Sequence, residues 1–219
     1  MSIAENLKRI KAELGENTTL VAVSKYSPDD AVEAAYASGH RDFGENKAQD
    51  MKERHEKMPK DIRWHFIGHM QRNKVKYIAP FVHLIHSVDS MRLLEEIDKQ
   101  AAKHDRVIPC LLQMHIAKEE TKFGLDESEL FELIVSEELA AMKNVKITGL
   151  MAMATNTERT EIVEQEFKGL NEIFERLKSR ELPPNVSMDT LSMGMSGDYK
   201  IATAHGSNMV RIGSAVFSD

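Results

Sequence analysis

Short apolar runs alternating with longer stretches of helical periodicity are what most constrain the fold of this chain. The runs are "TLVAVSK" (19–25), "RDFGE" (41–45), "RWHFIG" (63–68), "VHLIHSV" (82–88), "VIPCLLQMHI" (107–116), "KITGLMAM" (146–153), "MDTLSM" (188–193) and "NMVRIG" (208–213). Between them apolar residues recur three and four apart, most clearly over 158–179, where Ile162, Phe167, Leu170, Ile173, Phe174 and Leu177 would line one helix face. Boundary signals agree. Ser27-Pro28 has the form of a cap followed by proline at the first helical position, Gly39 closes that helix, and Asp126 with Glu129 has capping-box spacing. Strand–helix alternation implies parallel strands with helical crossovers. Eight units in 219 residues, about 27 each, predict an α/β fold of the (β/α)8 TIM-barrel type spanning 1–219 as one domain. An open doubly wound sheet is the rival, and strand number and closure separate the two. Ile3, Leu7, Ile10 and Leu14 predict an extra amphipathic helix docked at the N-terminus.

Composition removes whole classes of function. A net charge of −6 argues against a nucleic-acid partner, which needs a basic face. No apolar run approaches the ~18 residues of a membrane helix. Charges interrupt every apolar stretch of "MSIAENLKRIKAEL", so it is no signal peptide. The single cysteine, Cys110 in "VIPCLLQM", excludes an internal disulfide and a thiolate metal cage, and fits a buried small residue. The expectation is a soluble cytoplasmic protein.

Four of the 11 glycines (Gly194, Gly197, Gly206, Gly213) fall within "LSMGMSGDYKIATAHGSNMVRIG". In a barrel this stretch surrounds the ends of strands 7 and 8, where phosphate commonly binds. Ser196 is expected to cap the helix that follows it, and Gly213-Ser214 would offer a second cluster of N–H groups. Taken alone, these could equally be turn glycines and a routine cap. Lys25 closes the first run, beside strand 8 once the barrel closes; a partly desolvated amine there would serve as a Schiff-base nucleophile. Arg211, on the same side of its strand as Met209 and Gly213, could donate to a pyridine nitrogen or be a salt-bridged wall residue. An amine for an aldehyde beside a cup for a phosphate suits pyridoxal 5′-phosphate. His65 and His69 have metal-like spacing but sit on a strand and the loop after it, with no third ligand evident. The "HLIH" histidines are expected to be strand residues without chemical duty. "GMSGD" lacks the final glycine of a nucleophile elbow.

The motifs "VAVSKY", "FGENKAQ", "WHFIGHMQRNK", "EETKFG", "GLMAMA" and "LSMGMSGDYKIATAHGSNMVRIGSAVF" occur together in order over essentially the whole chain. In these the chain resembles the pyridoxal phosphate homeostasis protein family, which is similar to the N-terminal barrel domain of alanine racemase. The resemblance implies a cofactor Schiff base on Lys25, Arg211 facing the pyridine nitrogen, Ser196, Gly213 and Ser214 around the phosphate, and Asn46 and Met195 lining the site. His115 stands where the family usually has asparagine, Met70 where leucine is usual, and "AVFSD" lacks a glycine after phenylalanine, which would shorten a final turn. The implied role is an intracellular holder of the cofactor in vitamin B6 and amino-acid homeostasis, a monomer or weak dimer, with apo-enzymes as candidate recipients. A pyridoxal-phosphate-dependent amino-acid racemase and a cofactor-free scaffold barrel are the alternatives. Against the racemase, the chain ends soon after the eighth strand, and none of Tyr26, Tyr36, Tyr77 and Tyr199 has an evident place across from Lys25.

Overall fold

In the computed structural model, which describes residues 2–118 and 123–218, the alternation closes on itself. The strands β1 (Thr19–Val23), β2 (Asp42–Glu45), β3 (Arg63–Phe66), β4 (Leu84–Val88), β5 (Ile108–Met114), β6 (Val145–Ala152), β7 (Val186–Ser192) and β8 (Met209–Ile212) pair in parallel, in sequence order, as a closed barrel. β1 meets β8 in the register Val21 to Arg211 and Ala22 to Ile212, which excludes the open sheet. The helices are α1 (Ile3–Leu14), α2 (Asp29–Ala37), α3 (Ala48–Lys57), α4 (Val75–Ile78), α5 (Met91–Ala102), α6 (Glu127–Ile134), α7 (Glu137–Ala141), α8 (Thr160–Lys178), α9 (Tyr199–Ala204) and α10 (Ser214–Phe217). Part of the "EETKFG" motif, residues 119–122, lies outside the described residues.

Alternation along the strands splits the core in two. Outward residues such as Ala22, Phe43, Trp64, Ile85 and Val210 pack under the helices in the main cluster. Inside the barrel, Val21, Leu84, Leu111, Met151 and Met209 form a separate apolar island. Cys110 is fully buried, and burial pushes its thiol far up, as suits an inert core residue. β6 and β7 approach so closely at a register shift that a Cβ on Gly149, whose φ is +152°, would lie 1.8 Å from the Thr190 carbonyl oxygen. No side chain fits there.

Some local expectations need adjustment. α8 buries Phe167, Leu170, Phe174 and Leu177, but Val163 takes the buried place expected for Ile162, and Ile173 is half-buried. Ser27 does not cap α2: Pro28 occupies the N-cap, and the Asp30 carboxylate accepts from the Ala31 N–H at 2.8 Å. Gly39 follows the helix at φ +89° with its N–H on the Tyr36 carbonyl, and the Asp126–Glu129 capping box is formed.

The extra helix has a positional task. α1 buries Leu7 and Ile10, and its Asn6 amide donates to the Val216 and Ser218 carbonyls at 3.2 Å each, fixing the end of α10. Its Glu13 accepts from the Tyr199 hydroxyl at 2.6 Å and pairs with Lys200 at 3.1 Å, fixing α9. α1 therefore ties down the two short helices that flank β8.

The turn into β2 carries a pH liability. His40 is buried, its Nε2 bonds the Asp42 carbonyl at 2.8 Å, and burial, helped by Lys11, drives its pKa from 6.5 down to about 4. A neutral native histidine that charges on unfolding loses stability as pH falls from about 6.5 to 4, here by about 3 kcal/mol. Urea midpoints at pH 7 and pH 4 check this. The acid loss in His40→Gln should be smaller by about that amount, and an equal loss in both proteins would refute it.

Candidate functional site

At the C-terminal ends of β1 and β8 the chain builds one open cleft, of ≈ 360 Å³, lined by Val23, Lys25, Tyr26, Ser27, Pro28, Gly213, Ser214, Phe217 and Ser218. β1 stops at Val23, two residues before Lys25. The Ser24 N–H still bonds the Gly44 carbonyl, but the Ser27 N–H then turns back to the Ser24 carbonyl, and Tyr26 takes φ +66°. Lys25 is consequently on a tight turn and exposed at the rim of the cleft. Tyr26 is not across a strand from the lysine: the left-handed turn leaves it 81 % exposed, its ring centroid 6.0 Å from Lys25 Nζ and 5.8 Å from Lys47 Nζ.

The turn is anchored from below by a residue whose sequence context, "KERHEK", suggests only a solvated helix face. Arg54 of α3 donates to the Ser24 carbonyl at 2.8 Å, to the Ser27 carbonyl, and to the Glu45 carboxylate at 2.6 Å. The Ser24 hydroxyl donates to the same carboxylate at 2.5 Å. Glu45 is almost fully buried, and burial raises its pKa against the pull of Ser24 and Arg54.

On the other wall, β8 passes through Gly213 into α10. A Cβ on Gly213 would sit 3.3 Å from the Val23 carbonyl oxygen, so a larger side chain would press on β1. Gly213's carbonyl already accepts from Val216 and Phe217, and Ala215 points its N–H at Ser196 Oγ, 3.5 Å away. Ser196 is thus beside α10 and does not cap α9. Asp198 occupies that position, its carboxylate accepting from the Met195 N–H at 2.6 Å. An anion at the start of α9 would meet this carboxylate. Met195 is exposed, and Asn46 lines a neighbouring cavity of ≈ 190 Å³ with Phe66, His69 and Lys74.

Arg211 is buried inside the barrel. Nη1 donates to the Ser192 carbonyl at 2.8 Å and to its hydroxyl at 2.6 Å, and Nη2 to the Ala152 carbonyl at 2.9 Å. Burial lowers its pKa to about 10, so it remains a cation at neutral pH. Among the described residues Arg211 forms no salt bridge, and its hydrogen bonds run to two carbonyls and a hydroxyl.

His65 and His69 share no site. His65 faces the barrel interior, whereas His69 stacks on Phe123 with centroids 3.9 Å apart and has Nδ1 3.7 Å from Asp89. Of the "HLIH" histidines, His86 lies on β4 as expected, fully buried and hydrogen-bonded at both ring nitrogens, to His65 and to Ser192 at 2.9 Å each. Only the inward alternation of β3, β4 and β7 could have signalled this set.

A closed parallel barrel with an amine and a glycine-lined cup at adjacent strand ends defines a class, and residues 1–219 match the family model described as the alanine racemase N-terminal domain. Over 230 aligned positions the chain is 37 % identical to the pyridoxal phosphate homeostasis protein of Aquifex aeolicus, covering 100 % of this chain and 99 % of that protein. It is 33 % identical to the protein of the same name from Haemophilus influenzae, covering 99 % and 95 % respectively. Among solved structures it is similar to PipY of Synechococcus elongatus PCC7942, determined with PLP bound, at TM-score 0.88 and 33 % identity over 99 % of this chain and 100 % of that one. Alanine racemase from Bartonella henselae has TM-score 0.73 at 16 % identity, covering 100 % of this chain and 58 % of that one, a likeness of fold alone. The chain belongs to the pyridoxal phosphate homeostasis protein family.

Proposed function

We propose that this protein, acting as one unit over residues 1–219, binds pyridoxal 5′-phosphate and holds it as a Schiff base on Lys25. One observation carries the reading: Lys25 and the Gly213–Ser214 segment line a single cleft. A bound cofactor would supply an aldehyde, and Lys25 Nζ is the amine that would condense with it, forming a C=N bond and releasing water. The phosphate is assigned to the Ser214 and Ala215 N–H groups and the Ser196 and Ser214 hydroxyls. Arg211 makes three hydrogen bonds with two of its three nitrogens, leaving two of the five guanidinium N–H donors for the pyridine nitrogen. A donated hydrogen bond there keeps that nitrogen unprotonated. Asn46 and Met195 belong to the rim, where a bound ring would bring them closer.

The physiological reading is a cytoplasmic holder of vitamin B6, a monomer or weak dimer, with apo-enzymes as recipients. Among the described residues no helix is long and apolar enough to cross a membrane. The likeness to alanine racemase stays at the level of fold, so holding is favoured over racemisation. Titrating cofactor-free protein with pyridoxal phosphate should produce a protein-bound visible band at one equivalent. A spectrum identical to free cofactor would contradict the proposal.

Gly213→Val tests the phosphate cup. Its side chain pushes on the Val23 carbonyl and closes the segment's approach. Retention should weaken about tenfold or more, against a smaller loss for Ser196→Ala, which removes one hydroxyl. Unchanged retention in the Gly213 variant would count against the placement.

A further inference from the structure

The barrel interior holds a continuous line of polar side chains from its floor to the cofactor side. At the floor, Arg63 clasps Asp42 with Nε and Nη2 at 2.7 and 2.6 Å. Asp42 Oδ1 lies 3.1 Å from His65 Nε2, and His65 Nδ1 lies 2.9 Å from His86 Nε2. His86 Nδ1 lies 2.9 Å from Ser192 Oγ, which accepts from Arg211 Nη1 at 2.6 Å. His65, His86, Ser192 and Arg211 are all buried. We propose that Asp42, His65, His86 and Ser192 form a one-way hydrogen-bond chain that positions and polarises the Arg211 guanidinium.

The direction follows from the two ends. An ionised carboxylate can only accept and a guanidinium can only donate. Asp42 therefore takes a proton from His65 Nε2, which leaves the neutral ring a lone pair at Nδ1. That lone pair must be met by the N–H of His86 Nε2, so His86 Nδ1 is bare and accepts the Ser192 hydroxyl proton. Ser192 Oγ then offers its lone pair to Arg211. The reverse order would set the His65 Nε2 lone pair against the Asp42 carboxylate. Burial, with His65 and Arg211 nearby, holds His86 well below its usual pKa, which suits a neutral ring in the chain. Arg63 already occupies both Asp42 oxygens, so the neighbouring His83 completes no cation cage.

Among the described residues this buried cation has two carbonyls and a hydroxyl as partners and no carboxylate. A direct acid partner would occupy the guanidinium donors, whereas a relayed one balances the charge through a single hydroxyl. The chain fixes Arg211 from one side and leaves its remaining donors free. Its importance for the cofactor rests on the reading of Arg211 above, but the chain itself is testable without any cofactor.

The test uses the cofactor-free full chain. Long-range ¹⁵N–¹H correlation of the imidazoles at pH 7 should find both His65 and His86 as the neutral Nε2–H tautomer. An Nδ1–H tautomer or an imidazolium at either position would overturn the proposal. In Ser192→Ala, His86 should populate both tautomers and the Arg211 side-chain N–H should exchange about tenfold or more faster, having lost a charge-assisted bond. Both signals unmoved would also overturn it, and if that variant fails to fold the wild-type tautomers decide alone. Adding pyridoxal phosphate to wild-type protein separates the two readings: no bound band with correct tautomers refutes cofactor binding and leaves the chain standing.

Discussion

Lys25→Ala should fold like the wild type and lose the whole of its borohydride-trapped cofactor. The side chain is exposed on a turn, with Nζ 6.0 Å from the Tyr26 ring centroid, so little packing goes with it. An exposed truncation of this kind changes stability by about 0.5 kcal/mol or less. The covalent bond has no substitute. Lys47, also 5.8 Å from the Tyr26 ring, is the nearby amine that could mislead the experiment, and Lys47→Ala should retain the adduct in full. A visible band and trapped adduct persisting in Lys25→Ala would reject the assignment.

Arg54→Ala should cost the fold about 3–5 kcal/mol, the range for removing one partner of a buried ion pair. The Arg54 side chain is 13 % exposed and that of Glu45 2 %, so the variant strands a carboxylate away from water. It also frees the Ser24 and Ser27 carbonyls, loosening the turn that presents Lys25. Burial already raises the Glu45 pKa and loss of Arg54 raises it further, so the deficit relative to wild type should shrink as pH falls towards that raised wild-type value, above the ordinary carboxylate range. Glu45→Gln added to Arg54→Ala should recover part of the loss at neutral pH. Urea unfolding of the four proteins in the cycle measures this. A cost below about 1 kcal/mol, typical of exposed pairs, would show that the pair does not hold the turn.

The barrel was legible because strand and helix periods differ and alternate along the whole chain. Each of the eight apolar runs contains or overlaps an observed strand, and β1–β8 closure follows once eight parallel strands are counted. The Lys25 and Gly213–Ser214 pairing was legible for the same reason, since consecutive strand ends define the mouth. What the sequence concealed depends on orientation in three dimensions. Ser196 precedes a helix, as a cap would, but α9 begins two residues later, with Asp198 at the N-cap and its carboxylate on the Met195 N–H. Arg54 sits among charged residues on an apparently solvated helix, and only the fold turns it inward to Glu45. His65 and His86 are 21 positions apart, and His86 and Ser192 106 apart, separations at which no spacing rule operates. Asn46, named for the site by resemblance, follows β2 and lines the cavity next to the Lys25 cleft.

The measurement that bears most directly on the account is borohydride reduction of protein loaded with pyridoxal phosphate, followed by peptide mass mapping. The account predicts one phosphopyridoxyl group per chain, on the peptide containing Lys25. A full-strength adduct on another lysine, with Lys25 unmodified, would contradict it.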